Sequence, residues 1–118
     1  TPVLNKFLTQ VSEKDKAGDY YTNRDKVMVV QAEIKDAIAA GDGERIAAAK
    51  ATYPERIRVM GRIGEIEKRL AKLRKMKRLV TDSTKMDEAK RQKSIDNINQ
   101  AINKLMALGN QIMGDAGV

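Results

Sequence analysis

The stretch that decides the fold runs from Glu55 to Met113 and reads ERIRVMGRIGEIEKRLAKLRKMKRLV, then TDST, then KMDEAKRQKSIDNINQAINKLMALGNQIM. In both long arms, apolar side chains recur at alternating intervals of four and three residues, which keeps them on one side of a helix. The polar run from Thr81 to Thr84 favours a turn followed by a helix start. The seam positions are Val59, Ile63, Ile66, Leu70, Leu73, Lys77 and Val80 in the first arm and Ile95, Ile98, Ile102, Leu105, Gly109 and Ile112 in the second. Two apolar seams joined by so short a link can cover each other only if the arms fold back antiparallel.

The residues before this hairpin also predict helices, and each helix has an apolar stripe that needs a partner. We expect a single all-α domain over residues 1–118, with two or three shorter helices packed on the open end of a long, coiled-coil-like hairpin. The predicted elements are a short helix at 2–13, a linker at 14–19, a helix at 20–40, a short helix at 43–51 and the hairpin at 54–113.

Several residues are typical of helix ends. Gly41 predicts a left-handed C-cap and Asp42 an N-cap, and Asp19 and Thr52 are further N-cap candidates. Either Ser83 or Thr84 would cap the second arm, and residues 114–118 would form a fraying tail.

Composition excludes several kinds of chemistry. The chain has no Cys and no His, which removes disulfides, thiol nucleophiles and imidazole acid–base catalysis. Glu65 and Glu67, two positions apart on a helix, would point about 200° apart and cannot converge on a substrate. We therefore expect no catalytic residues, no metal site and no cofactor. We also expect that the protein is not an enzyme. No run of about 18 apolar residues is present, so no transmembrane segment is expected.

Positive charge is concentrated around the predicted turn. Positions 68 to 93 hold eleven Lys and Arg residues against three Asp and Glu residues, a net charge of +8, whereas the whole chain carries +7. A positive tip on a rigid helical rod is a typical footprint for phosphates of DNA, RNA or anionic lipid. The alternative is a solvated tip that only keeps the hairpin soluble. The residues expected to contact nucleic acid or an acidic partner are Lys72, Arg74, Lys75, Lys77, Arg78, Lys85, Lys90, Arg91 and Lys93.

Three smaller features have two interpretations each. Lys77, at a seam position, either makes a contact site or extends along the seam to reach solvent. Gly61 and Gly64 favour close approach of another helix, with a hinge as the alternative, because glycine inside a helix costs about 1 kcal/mol relative to alanine. The pair Tyr20-Tyr21, near Arg24, favours rings packed at a helix start over a catalytic tyrosine.

Several short runs along nearly the whole chain form a recognisable series: residues 2–7 (PVLNKF), the pair Tyr20-Tyr21, residues 73–75 (LRK), Asp82, residues 88–91 (EAKR) and Ile95-Asp96. Together they resemble a helical domain found towards the C-terminal ends of very large polyvalent proteins of bacteriophages and mobile elements. The resemblance implies a non-catalytic structural or interaction domain of an internal virion protein, of the kind used in DNA ejection into the bacterial host cell. Its partners would be other virion proteins, a second copy of the chain, and packaged DNA.

The first residue, Thr1, agrees with our expectation that the chain is a fragment or processed product of a longer protein. Outside the family that it resembles, two other functions stay open. One is a cytoplasmic, sequence-independent nucleic-acid-binding module that uses the basic tip. The other is a coiled-coil assembly module in which the seams pair between chains.

Overall fold

The computed structural model describes the backbone of residues 2–118 and the side chains of residues 19–118. Its elements are α1 (Pro2–Ala39), α2 (Gly43–Thr52), α3 (Pro54–Asp82) and α4 (Glu88–Ala116). The predicted all-α fold class is confirmed, and α3 and α4 pack against each other as the two arms of the hairpin. Helix α1 contacts both arms, and α2 contacts α1 and α3.

The core lies where α1 meets the two arms. Its fully or nearly fully buried side chains are Tyr20 and Val27 from α1, Val59, Ile63, Ile66 and Leu70 from α3, and Met106 and Met113 from α4. The first four positions of the predicted α3 seam are therefore buried. On α4, the predicted Ile102, Leu105 and Ile112 are only partly buried. The predicted Ile98 and Gly109 are buried. Because α4 faces α1 as well as α3, its buried side also includes Met106 and Met113, one position beyond Leu105 and Ile112.

The N-terminal half differs from the prediction. Helix α1 runs without a break from Pro2 to Ala39, so one helix replaces the predicted short helix at 2–13, the linker at 14–19 and the N-cap at Asp19. The segment at 12–19 contains no proline, and its one glycine, Gly18, costs a helix only about 1 kcal/mol. The predicted apolar stripe at 2–13 lies outside the residues whose side chains are described.

The junction between α1 and α2 matches the prediction. Gly41 has a φ of +66°, and the amides of Gly41 and Asp42 donate to the carbonyls of Ile38 and Ala37 at 3.1 and 2.9 Å. This pair of bonds is a Schellman motif, which satisfies carbonyls at the end of α1. The Asp42 carboxylate then accepts from the Arg45 amide at 3.2 Å and caps α2.

The N-caps predicted for the two arms of the hairpin are both wrong. Thr52 does not cap α3, because its hydroxyl donates to the Ala48 carbonyl within α2 at 2.7 Å. The N-cap of α4 is Asp87, whose carboxylate accepts from the Lys90 amide at 2.8 Å, and not Ser83 or Thr84. A carboxylate is favoured there because it interacts with the positive end of the helix dipole as well as with the free amide. This places the turn at residues 83–87.

The C-terminal residues are also ordered differently from the expected fraying tail. Gly117, with a φ of +84°, ends α4, and the amide of Val118 donates to the Met113 carbonyl at 3.0 Å. Val118 and Ala116 pack against the core. The hairpin therefore extends three residues beyond its predicted end.

The expected close contact at Gly61 and Gly64 is absent from the described part of the chain, since a Cβ atom added at either position would meet no atom within 4 Å. The glycine in close contact is Gly109. A Cβ atom there would lie 2.6 and 3.0 Å from Cε2 and Cδ2 of Tyr20, and 3.5 Å from Cδ1 of Ile66. The ring of Tyr20 from α1 thus lies directly on the backbone of α4.

Candidate nucleic-acid or acidic-partner interface

The nine predicted contact residues all lie around the closed tip of the hairpin. Five of them belong to the C-terminal part of α3, Lys85 is in the 83–87 turn, and three are in the first turns of α4. The fold therefore brings together two groups of cations that are separated in sequence by the turn. The surface formed by these nine residues is called the basic tip below.

Six of the nine side chains are exposed, and within residues 19–118 none of the six forms a hydrogen bond or ion pair through its side chain. They are Lys72, Lys75, Arg78, Lys85, Lys90 and Lys93. Uncompensated cations on a convex helical surface keep their full attraction for an external anion, because no internal carboxylate has to be displaced first.

Arg74 makes contacts within the protein. Its Nη2 atom donates to the Tyr21 hydroxyl at 2.6 Å, and its guanidinium carbon lies 5.8 Å from the centre of the Tyr21 ring. Arg24 approaches the same ring at 4.9 Å. Tyr21 thus has two guanidinium groups near its ring, and its contact with Arg74 ties α1 to α3.

Arg91 holds the turn together. Its guanidinium donates to the carbonyls of Ser83 and Met86 and pairs with Glu88, the Nη1–Oε2 distance being 2.6 Å. Both carbonyls lie in the connection between the arms, where no helical partner is available to them. The guanidinium of Arg91 is therefore bonded within the hairpin. Its position in the sequence did not indicate these bonds.

Replacing Arg91 by alanine should loosen the turn. We expect the free energy of unfolding to fall by about 1–3 kcal/mol, because hydrogen bonds from a charged donor are lost. Amide hydrogen exchange in residues 83–87 should become faster. The matched control is Lys90→Ala, which removes a neighbouring exposed cation without any side-chain bond and should change stability by less than about 0.5 kcal/mol. Equal effects of the two substitutions on turn exchange would contradict this role.

Lys77 is half-buried at its seam position, in contrast to the exposed lysines on either side. A half-buried ammonium side chain fits the expectation that its methylene groups cover the seam near the tip. The proposal that Lys77 contacts a partner stays a prediction.

Two large apolar side chains on the outer side of α3 were not anticipated as surface features. Met76 is 50% exposed and Leu79 is 64% exposed, and both lie among the exposed cations of the basic tip. Both positions fall outside the α3 seam. This is the one feature of the sequence that could have identified the two side chains as exposed.

Among the described residues, a partly buried polar group connects α1 and α3. The hydroxyl of Tyr20, a fully buried residue, donates to the Glu67 carboxylate, which also faces the Arg24 guanidinium at 3.5 Å. Arg24 pairs in turn with Asp25 at 2.9 Å. Burial, followed by the hydrogen bond to Glu67, raises the pKa of Tyr20 above its ordinary value.

This raised pKa predicts a loss of stability in alkali. A tyrosine whose pKa is higher in the folded state contributes stability that is complete below its unfolded pKa of about 10 and is lost as pH rises through the folded value. At pH 7 we expect Tyr20→Phe to be less stable than the native chain by roughly 1 kcal/mol, the usual value of a hydrogen bond. Urea unfolding of both proteins between pH 7 and 11 should show this difference shrinking above pH 10. A constant difference would contradict the role given to the hydroxyl.

Other sites find no support among the described residues. No cluster of three or more Asp and Glu side chains in residues 19–118 could hold a metal ion. Over the same part of the chain, no helix combines the length and apolarity needed to cross a membrane. Compared with known proteins, the sequence matches no family model, no curated protein and no solved structure.

Proposed function

We propose that this chain is a non-catalytic structural and interaction domain that binds the phosphate backbone of nucleic acid through the basic tip. The observation that carries the proposal is the set of six exposed basic side chains, without internal partners, at one end of a rigid hairpin. Phosphates attract such a surface strongly because binding releases condensed counterions.

The basic tip favours contact with phosphates over recognition of bases. Phosphate contacts fix position and orientation, whereas sequence is read at base edges. Five of the six exposed cations are lysines, which act as point charges and lack the flat, two-pronged geometry of arginine. No aromatic residue occurs between positions 54 and 118, and the ring of Tyr21 beside the tip already contacts Arg24 and Arg74, so these observations do not favour stacking of bases on the tip.

The biological setting that we propose is a phage particle, and it rests on the sequence resemblance. An internal virion protein that is ejected with the genome would meet packaged DNA in the particle and other virion proteins during assembly. The basic tip suits the first partner. An acidic protein surface is the second candidate for the same tip, and the charge pattern supports it equally.

A coiled-coil assembly module, with the seams paired between chains, has less support. Val59, Ile63, Ile66 and Leu70 are already covered by α1 and α4 of the same chain. Pairing these positions with a second chain would require the hairpin to open.

The test is fluorescence anisotropy with a labelled duplex DNA at about 50 mM salt. We expect two unrelated sequences of equal length to bind with equal affinity. With about six phosphate contacts, affinity should fall roughly a thousandfold between 50 and 200 mM salt. Absence of binding at about 50 mM salt would refute nucleic-acid binding, and a strong preference for one sequence would refute phosphate-directed recognition.

A further inference from the structure

A groove lies between α1 and α2, far from the basic tip. Its volume is about 590 Å³, and its apolar lining includes Val29, Ala32, Ala48 and Tyr53. Val29 is 65% exposed, so its side chain is accessible to an occupant of the groove. We call this surface the α1–α2 groove.

The groove has an acidic wall. Glu33 and Asp36 of α1 line it, and Arg45 of α2 faces Glu33 at 2.9 Å across the groove. The surrounding residues 19–55 carry seven acidic against five basic side chains. Because Arg45 already pairs with Glu33, the uncompensated charge of this wall is that of Asp36, and an occupant of the groove should be apolar with positive charge at its flank.

The chain itself presents such a surface on the outer side of α3. Lys72, Met76 and Leu79 follow one another at intervals of four and three residues, which places them along one face of the helix. Both apolar members are at least half exposed. Lys75 adds a further cation beside this stripe. A helix with one apolar stripe laid into an apolar groove is a common mode of recognition between proteins.

These two surfaces cannot meet within one molecule. The groove lies beside the N-terminal end of α3, next to Tyr53, whereas the stripe lies near its C-terminal end. Each turn of α-helix advances by about 5.4 Å, so the two surfaces are several turns apart along a rigid rod. Complementary patches at opposite ends of one molecule lead to association between copies.

We propose that a second copy of the chain occupies the α1–α2 groove, with its Met76 and Leu79 seated between Val29 and Ala48 and its Lys72 and Lys75 facing Glu33 and Asp36. The contact is head-to-tail, so each complex keeps one free tip and one free groove, and it grows into open chains. The proposal does not depend on nucleic-acid binding, although DNA bound to Lys72 and Lys75 would compete with it.

The test uses two variants that each remove one side of the contact. The tip variant is Met76→Gln with Leu79→Gln, and the groove variant is Val29→Lys with Asp36→Lys. The control variants are Leu108→Gln and Ile38→Lys, which change exposed apolar residues outside both surfaces. Circular dichroism and thermal melting verify that each variant is folded, and sedimentation velocity without DNA measures mass over a wide range of concentration.

We expect the mass of the native chain to rise with concentration, and each surface variant alone to stay monomeric, with association weakened more than tenfold. The decisive sample is the equimolar mixture of the two variants. Since one retains a groove and the other a tip, the mixture should form dimers that do not grow further. The control variants should assemble like the native chain. A native chain that stays monomeric, a mixture that stays monomeric, or assembly that survives in either surface variant would overturn the proposal.

Discussion

Replacing Gly109 by valine should lower the free energy of unfolding by about 3 kcal/mol. A Cβ atom at this position would lie 2.6 Å from Cε2 of Tyr20, which is closer than real Cβ contacts allow. The ring cannot move aside easily, because Tyr20 is fully buried and its hydroxyl is bonded to Glu67. Forcing extra atoms into a packed core costs typically 1–3 kcal/mol, and valine adds three carbon atoms. For a domain of this size the melting temperature should fall by on the order of 10 °C.

The matched control is Gly61→Val, because no described atom lies within 4 Å of a Cβ atom added at Gly61. Both substitutions change glycine to valine inside a helix, so the effect of helix propensity is shared. We expect Gly61→Val to change stability by less than about 0.5 kcal/mol. In a Tyr20→Ala background, Gly109→Val should cost much less than in the native chain, which is the coupling expected of two groups in contact. Equal costs at Gly61 and Gly109 would contradict the packing of α1 on α4.

Reversing three charges of the basic tip should weaken nucleic-acid binding by about a hundredfold or more at 50 mM salt. The variant is Lys72→Glu, Lys75→Glu and Lys93→Glu, all exposed positions without internal partners. Loss of three phosphate contacts should lower the slope of log affinity against log salt by about 2.7, and the new carboxylates add repulsion.

The control for this variant is Lys35→Glu, Lys50→Glu and Lys104→Glu, which reverses three exposed lysines outside the basic tip. Both variants lose the same net charge, so they separate the position of the charge from its amount. We expect the control to retain binding within about tenfold of the native chain. If the two variants bind equally weakly, net charge governs binding and the tip has no special role.

The hairpin could be predicted from the sequence because its two seams are long, regular and joined by a short polar turn. What could not be predicted is how a third helix changes the burial of α4. Periodicity within α4 does not show that α1 packs on it, since the contact between Tyr20 and Gly109 joins residues about ninety positions apart. Gly109 was read as a seam position, and its contact with the ring of Tyr20 follows only from the packing of α1.

Glycine was also a misleading signal. Gly18 lies in the segment predicted as a linker and is inside a continuous helix. Gly61 and Gly64 were interpreted as close contacts and have none in the described part of the chain. Glycine weakens a helix by about the same amount in each case. Whether the absence of a side chain allows another helix to pack closely depends on where the neighbouring helices lie.

The position of the basic tip could be predicted by counting charges. Whether each of its side chains is exposed or hydrogen-bonded within the protein could not. Arg74 and Arg91 look equivalent to Lys75 and Lys90 in the sequence. In the structure, Arg74 bonds to Tyr21 and Arg91 braces the turn, whereas the two lysines are exposed. Hydrogen bonds to ring hydroxyls and turn carbonyls depend on the path of the chain, which charge composition does not encode.

The most direct measurement of the central claim is a titration of the ¹⁵N-labelled chain with an unlabelled DNA duplex, followed by two-dimensional NMR. Phosphate contact at the basic tip predicts that the largest shifts of amide signals occur within residues 72–93, on both arms and in the turn. For the groove variant Val29→Lys with Asp36→Lys, which does not self-associate, it also predicts that signals around the α1–α2 groove keep their positions, and for both proteins that added salt reverses the shifts. Largest shifts in residues 19–55, or shifts of equal size along the whole chain, would contradict the proposal that the hairpin tip is the binding surface.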